Sequence, residues 1–128
     1  MMMKALIGVM PENEFRQRVM AIVSNEYLPE ENEPKIWFSS LNAVAQILSP
    51  ENLALLDMMD REKPESISQL ARLAGRAVSN LSATLSTLEK HGFVKKVKGK
   101  NCMKPVALYT EFVIHTAHFP AKKASDAA

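Results

Sequence analysis

The stretch Ser66–Thr110 constrains this chain more than any other, because its punctuation admits few folds. Ser66-Ile67-Ser68-Gln69 has a capping-box pattern, with a Ser able to accept the N3 amide and a Gln able to reach back. The apolar positions behind it, Ile67, Leu70, Ala71, Leu73 and Ala74, suit one buried face of a short helix. Gly75 supplies a tight turn, a backbone conformation that costs glycine little. A second helix then runs from about Ala77 to His91, with Val78, Leu81, Leu85 and Leu88 on one stripe. Gly92 ends it as a C′ residue. Phe93-Val94-Lys95-Lys96-Val97-Lys98-Gly99-Lys100 has the chemistry of a strand followed by a turn. Two helices hinged on a glycine and followed by a lysine-rich hairpin point to DNA.

A length of 128 residues suits one domain with short appendages. Cys102 is the only cysteine, which rules out an intrachain disulfide framework and fits a reducing cytoplasm. No apolar run approaches the ~20 residues that span a bilayer, so no membrane role is expected. The apolar start, Met1 to Met10, is short and lacks a small-residue cleavage site, which speaks against a signal peptide. The overall charge of +2 hides a polarity: residues 1–60 hold four Lys/Arg against nine Asp/Glu, and residues 61–128 hold twelve against five. Such a split suits a protein whose second half meets phosphate and whose first half does something else.

Lys4–Met10 reads as a first strand, rich in Leu, Ile and Val. Pro11, Glu12 and Glu14 open a helix whose stripe is Phe15, Val19, Ile22 and Val23, with Arg16, Gln17 and Arg18 lying elsewhere. Residues 25–34, acidic and twice interrupted by proline, read as a linker in which nothing positions Glu30, Glu31 or Glu33 for acid–base chemistry. Residues 35–38 read as extended, and Ser39 or Ser40 caps a helix carrying Leu41, Val44, Ala45, Ile47 and Leu48. Ser49-Pro50-Glu51 opens another, presenting Leu53, Leu55, Leu56, Met58 and Met59 from Asn52 to about Arg61. Residues 106–114 return as one or two strands. The expected organisation is 1–34, a strand, helix and acidic linker serving association; 35–115, a DNA-binding domain; and 116–128, a disordered tail.

From Ser49 onward the order helix, helix, helix, strand, wing, strand is that of a winged helix-turn-helix. The fold class is therefore α+β, mainly α, with an N-terminal strand-helix extension. The run from Leu70 to Ser82, and Leu88-Glu89-Lys90-His91-Gly92-Phe93-Val94 after it, resembles MarR- and ArsR-type regulators. Over residues 4–115 the chain further resembles a group of small predicted regulators of archaea and bacteria. They share an N-terminal strand and helix, a Pro-Lys-Ile-Trp-Phe-Ser-Ser-Leu segment and a Ser-Asn-Leu-Ser-x-Thr-Leu recognition helix. Some members look like antitoxins encoded beside TumE-type toxins, so the resemblance also implies a possible protein toxin partner.

At ~100° per residue, Leu81, Leu85 and Leu88 set the core direction of the second helix, with Val78 and Thr84 flanking it. Ser79, Ala83 and Ser86 then point outward, with Asn80, Ser82 and Thr87 on the shoulders. Short side chains let a helix backbone approach base edges in the major groove, and Asn80 could bond adenine in bidentate fashion. Arg76, just before the helix, can reach phosphate or a groove edge. Lys95, Lys96, Lys98, Lys100 and Lys104 supply phosphate contacts, and strand alternation groups Lys96, Lys98 and Lys100. Lysines also protect edge strands from aggregation, but that device leaves the C-terminal excess of charge unexplained.

His91, His115 and His118 lack partners at metal-ligand spacing, and no nucleophile elbow, phosphate-binding loop or zinc-protease motif occurs. No metal, cofactor or enzymatic activity is expected. The leading expectation is a cytoplasmic, homodimeric transcriptional regulator, a repressor, on double-stranded DNA. The alternative is an antitoxin whose acidic N-terminal half and free Lys4–Met10 edge strand engage a protein toxin, with DNA binding serving autoregulation.

Overall fold

The computed structural model describes residues 4–116 of the chain. Their elements run β1 (Lys4–Val9), α1 (Glu12–Val23), β2 (Ile36–Phe38), α2 (Leu41–Ile47), α3 (Pro50–Glu62), α4 (Ile67–Ala74), α5 (Val78–Lys90), β3 (Val94–Lys98), β4 (Met103–Ala107) and β5 (Glu111–Thr116). This is a mixed α and β architecture, as an α+β chain requires. No helix among the described residues is long and apolar enough to cross a membrane. The described residues divide into two compact units, one built on Gln46–Glu111 and the other on Ala5–Ala45 with 112–116. The division differs from a boundary at residue 34: residues 35–45 and β5 go with the N-terminal strand and helix. Thr116, expected in the tail, belongs to β5; the rest of that expected tail, residues 117–128, lies outside the described residues.

The Gln46–Glu111 unit is assembled by its caps. Ser49 Oγ accepts from Asn52 N at 3.2 Å with Pro50 in the first turn of α3. Ser66 Oγ accepts from Gln69 N at 3.0 Å, while Gln69 Oε1 accepts from Glu65 N at 2.7 Å, one residue earlier than a capping box would place it. Gly75 and Gly92 end α4 and α5 with φ of +67° and +83°, a region where a β-carbon is strained. Each end is closed by the same pair of bonds: Arg76 N to Ala71 O with Gly75 N to Arg72 O, and Phe93 N to Leu88 O with Gly92 N to Glu89 O. Two matched stops therefore set the lengths of α4 and α5.

Leu81, Leu85 and Leu88 present one face of α5 that is fully buried, together with Leu70, Leu56, Phe93 and Val94. Burying each such side chain contributes roughly 1.5–3 kcal/mol before the entropy of ordering is subtracted. α4 packs on α5, α5 on β3, and both α3 and α4 on β4. Three stripe positions depart from expectation: Leu53, Leu73 and Val78 are two-fifths to one-half exposed. β3 and β4 pair antiparallel from Val94↔Ala107 to Lys98↔Met103, closing a hairpin in which Gly99 N donates to Cys102 O at 2.7 Å.

The second unit is a three-stranded sheet in the order β2-β1-β5. β1 and β2 run parallel with Ile7↔Ile36, Gly8↔Trp37 and Val9↔Phe38, a pairing that demands a crossover, which α1 and residues 24–35 provide. The segment 106–114 thus contains parts of two strands with different partners, β4 beside β3 and β5 beside β1. Residues 25–34 are not a free linker. Arg18, expected to lie off the apolar stripe of α1, is buried and lies over Trp37, its guanidinium carbon 4.7 Å from the ring centroid, with Tyr27 at 5.8 Å. It pairs with Glu33 at 3.1 Å; Glu33 also accepts from the Tyr27 hydroxyl and from Glu30 N at 2.8 Å. The stripe residues Val19 and Val23 are exposed instead, Val23 at 77%. An aromatic platform drawn from other segments outweighs helical periodicity here.

Candidate nucleic-acid interface

α5 presents Ser79, Asn80, Ala83, Ser86 and Thr87 to solvent, and Ser82 is half-buried at the edge of that face. Thr87 Oγ1 is turned back onto Ala83 O at 3.2 Å, so its hydroxyl proton is held by the helix. Ala77 caps α5 without a side-chain hydrogen bond, which leaves the first amides of the helix available to an outside acceptor.

Arg76 is part-buried and folds along the start of α5. Its Nε and Nη2 donate to Asn80 Oδ1 at 3.2 and 2.7 Å, and Nη2 also donates to Thr84 Oγ1 at 2.9 Å. Thr84 Oγ1 donates in turn to Asn80 O at 3.2 Å. Residues 76, 80 and 84 thus form a ladder at intervals of four, a spacing that brings side chains together on a helix and is legible in the sequence. Thr84, placed by periodicity at the margin of the core, is half-buried there and forms the inner end of the ladder. Arg76 also borders a cavity of about 520 Å³ lined by Glu51, Ala54, Leu55, Met58 and Ala74.

The hairpin lysines do not form one strip. Strand alternation and pairing put Lys96 and Lys98 on the face of Val94, whereas Lys95, opposite Val106, and Lys104, opposite Val97, lie on the other; Lys100 lies in the turn. Two are paired with acids. Lys96 Nζ lies 3.6 Å from Glu89 Oε1 and donates to Ser86 Oγ at 3.4 Å, and Lys104 Nζ lies 3.7 Å from Glu65 Oε2. Lys95, Lys98 and Lys100 are exposed and form no ion pair among the described residues. Cys102, exposed, donates its thiol to Glu65 O at 3.5 Å. The hairpin is therefore tied to α5 through Lys96 and to the segment before α4 through Glu65. Among the described residues no three His, Cys, Asp or Glu side chains group as ligands for a metal ion.

A family model designated HVO_A0114 matches residues 47–114, more than half of the chain. The chain belongs to the HVO_A0114 family. The matched span takes in α3, α4, α5, the hairpin and most of β5, so the HVO_A0114 region contains every residue of the candidate interface. No curated protein matches the chain.

Proposed function

We propose that this chain is a sequence-specific regulator of transcription, a repressor, that binds double-stranded DNA through a winged helix-turn-helix. α4 and α5 are its helix-turn-helix, the β3–β4 hairpin its wing, and α5 its recognition helix. The observation that carries the reading is the bond from Lys96 to Ser86, which joins the cationic hairpin to the outward face of α5 as one surface. One end of that surface holds Arg76 and uncapped amides, the middle holds small polar side chains, and the hairpin holds three unpaired lysines. Short side chains allow close approach to base edges, the amides and lysines meet phosphates, and each phosphate neutralised releases condensed counterion. DNA is read without catalysis or cofactor.

The test is fluorescence anisotropy of the full chain with labelled duplex. Affinity should fall steeply between about 50 and 200 mM salt, and a duplex enriched from a randomised pool should bind far more tightly than a random one. Affinity that is weak and independent of salt on every duplex sinks the reading.

The regulator is further proposed to act as a homodimer, since a palindromic site doubles its contacts. Val19, Met20 and Val23 on α1 offer the association surface, at 38, 64 and 77% exposure. The same observation favours the second reading, an antitoxin, because this apolar stripe sits in a segment rich in glutamate that suits a basic protein partner. Met20→Glu with Val23→Glu distinguishes the two. Loss of the dimer in sedimentation supports self-association, whereas an unaltered dimer leaves the stripe to another protein.

A further inference from the structure

We propose that Arg76 is the base-reading side chain, presented to a guanine by Asn80 and Thr84, and that Asn80 anchors it instead of reading a base. The inference rests on the DNA-binding reading and assigns the substrate edge within it. Reading adenine in bidentate fashion requires the Asn80 Oδ1 to accept from the base while its amide donates. That oxygen already accepts two N–H groups from Arg76, at 3.2 and 2.7 Å. Adenine would have to break both.

What the ladder presents instead is the guanidinium. Nε and Nη2 are occupied by Asn80 and Thr84, and Nη1, with two protons, donates no hydrogen bond within the described chain. Both anchors are neutral and no carboxylate pairs with Arg76 among the described residues, so its charge stays available. A group that offers only donors fits an edge that offers only acceptors. In the major groove guanine alone supplies two, O6 and N7, whereas adenine sets an amino donor beside its N7. Three hydrogen bonds fix the orientation of a plane, which a base edge rewards and which a phosphate, approachable from many directions, does not need. The hold extends from Asn80 to Thr84, one turn along the flank of α5 between the exposed Asn80 and the half-buried Thr84, instead of leaving the guanidinium to swing towards the flanking backbone.

The test is a double-substitution cycle on the full chain, using the best duplex from a randomised pool and a random duplex. Arg76→Ala should weaken binding to the selected duplex about 10- to 150-fold, the range of a hydrogen bond made by a charged group, with little change on random DNA. Asn80→Ala should weaken it less, and should cost nothing more once Arg76 is Ala. Arg76→Lys should keep random binding and fail to restore selectivity, since its point charge lacks the plane that Asn80 and Thr84 orient. Replacing the guanine that Arg76→Ala ceases to prefer with 7-deazaguanine should weaken the parent protein and leave Arg76→Ala unaffected. Losses that multiply in the double variant, or an adenine at the position whose preference disappears, overturn the inference while the DNA-binding reading stands. Equal losses on selected and random duplex make Arg76 a phosphate contact and overturn it too. A parent protein that binds no duplex removes the underlying reading itself. Thermal melts of each variant check that the substitutions leave the fold intact.

Discussion

Gly8 and Trp37 show how one residue can set a packing arrangement. They are register partners on adjacent parallel strands, and a β-carbon on Gly8 would collide with three carbons of the indole ring. The indole in turn receives Phe15, at 5.8 Å between centroids, and the Arg18 guanidinium. Gly8→Ala should therefore destabilise the chain by about 1–3 kcal/mol, the usual cost of overpacking, and Trp37 fluorescence should report the displaced ring during urea unfolding. The Arg18–Glu33–Tyr27 cluster gives a pH dependence. Burial pushes the Glu33 carboxyl up, but the Tyr27 hydroxyl, the Glu30 amide and Arg18 together hold it below the ordinary carboxylate value of 4.5. Because the folded form is the more acidic, its stabilisation is complete above that value and is lost as the pH falls below it. Burial, and then the bond to Glu33, raise the Tyr27 hydroxyl above 10.0, so a second loss is expected at alkaline pH. Melting temperatures of the parent protein should fall more steeply than those of Glu33→Gln as pH drops below 4.5. Parallel curves would show that the cluster does not act through this carboxylate. None of this is written in the periodicity of α1, where Arg18 falls among polar neighbours; it depends on aromatic rings brought from other segments.

At the scale of elements, the stops and caps are local chemistry, and the sequence displays them. Ser49, Ser66, Gly75 and Gly92 delimit α3, α4 and α5 to within about two residues of where their residue types place them. The hairpin is different, because alternation fixes which lysines share a face but not which find an acid. Glu89 and Glu65 come from α5 and the preceding loop and take Lys96 and Lys104. Substituting Lys95, Lys98 and Lys100 with Ala should therefore flatten the slope of log affinity against log salt by about 2.7, at ~0.9 for each phosphate no longer neutralised. Substituting Lys96 and Lys104 should change it less per residue, since each already has a counter-charge. The reverse order in a salt titration would mean that the ion pairs open on DNA and that the paired lysines are the ones that meet phosphate.

For the molecule as a whole, the decisive feature is that β5 returns to β1, so the unit around the N-terminal strand is made from two ends of the chain. Deleting residues 1–33 would remove the central strand of the β2-β1-β5 sheet and cannot isolate an association module. The Gln46–Glu111 segment, by contrast, is continuous and contains the caps, the buried leucines and the candidate interface. Expressed alone it should melt cooperatively and bind random duplex, with the salt sensitivity of the parent protein. Its small size makes it marginal, so a lower melting temperature than the full chain is expected. A fragment that gives no thermal transition would show that the second unit is needed for this one to fold. What the sequence determined by itself is everything set within about five residues: helix starts and stops, the leucine stripe of α5, the small polar outward face and the run of hairpin lysines. These follow from hydrogen bonds and side-chain periods that act along the chain. Tertiary structure alone decided that Arg18 is buried, that Glu33 is held, that β4 and β5 part company, and which lysines are neutralised. Each of those outcomes depends on groups distant in sequence competing for the same space or charge, and no local pattern encodes which of them meet.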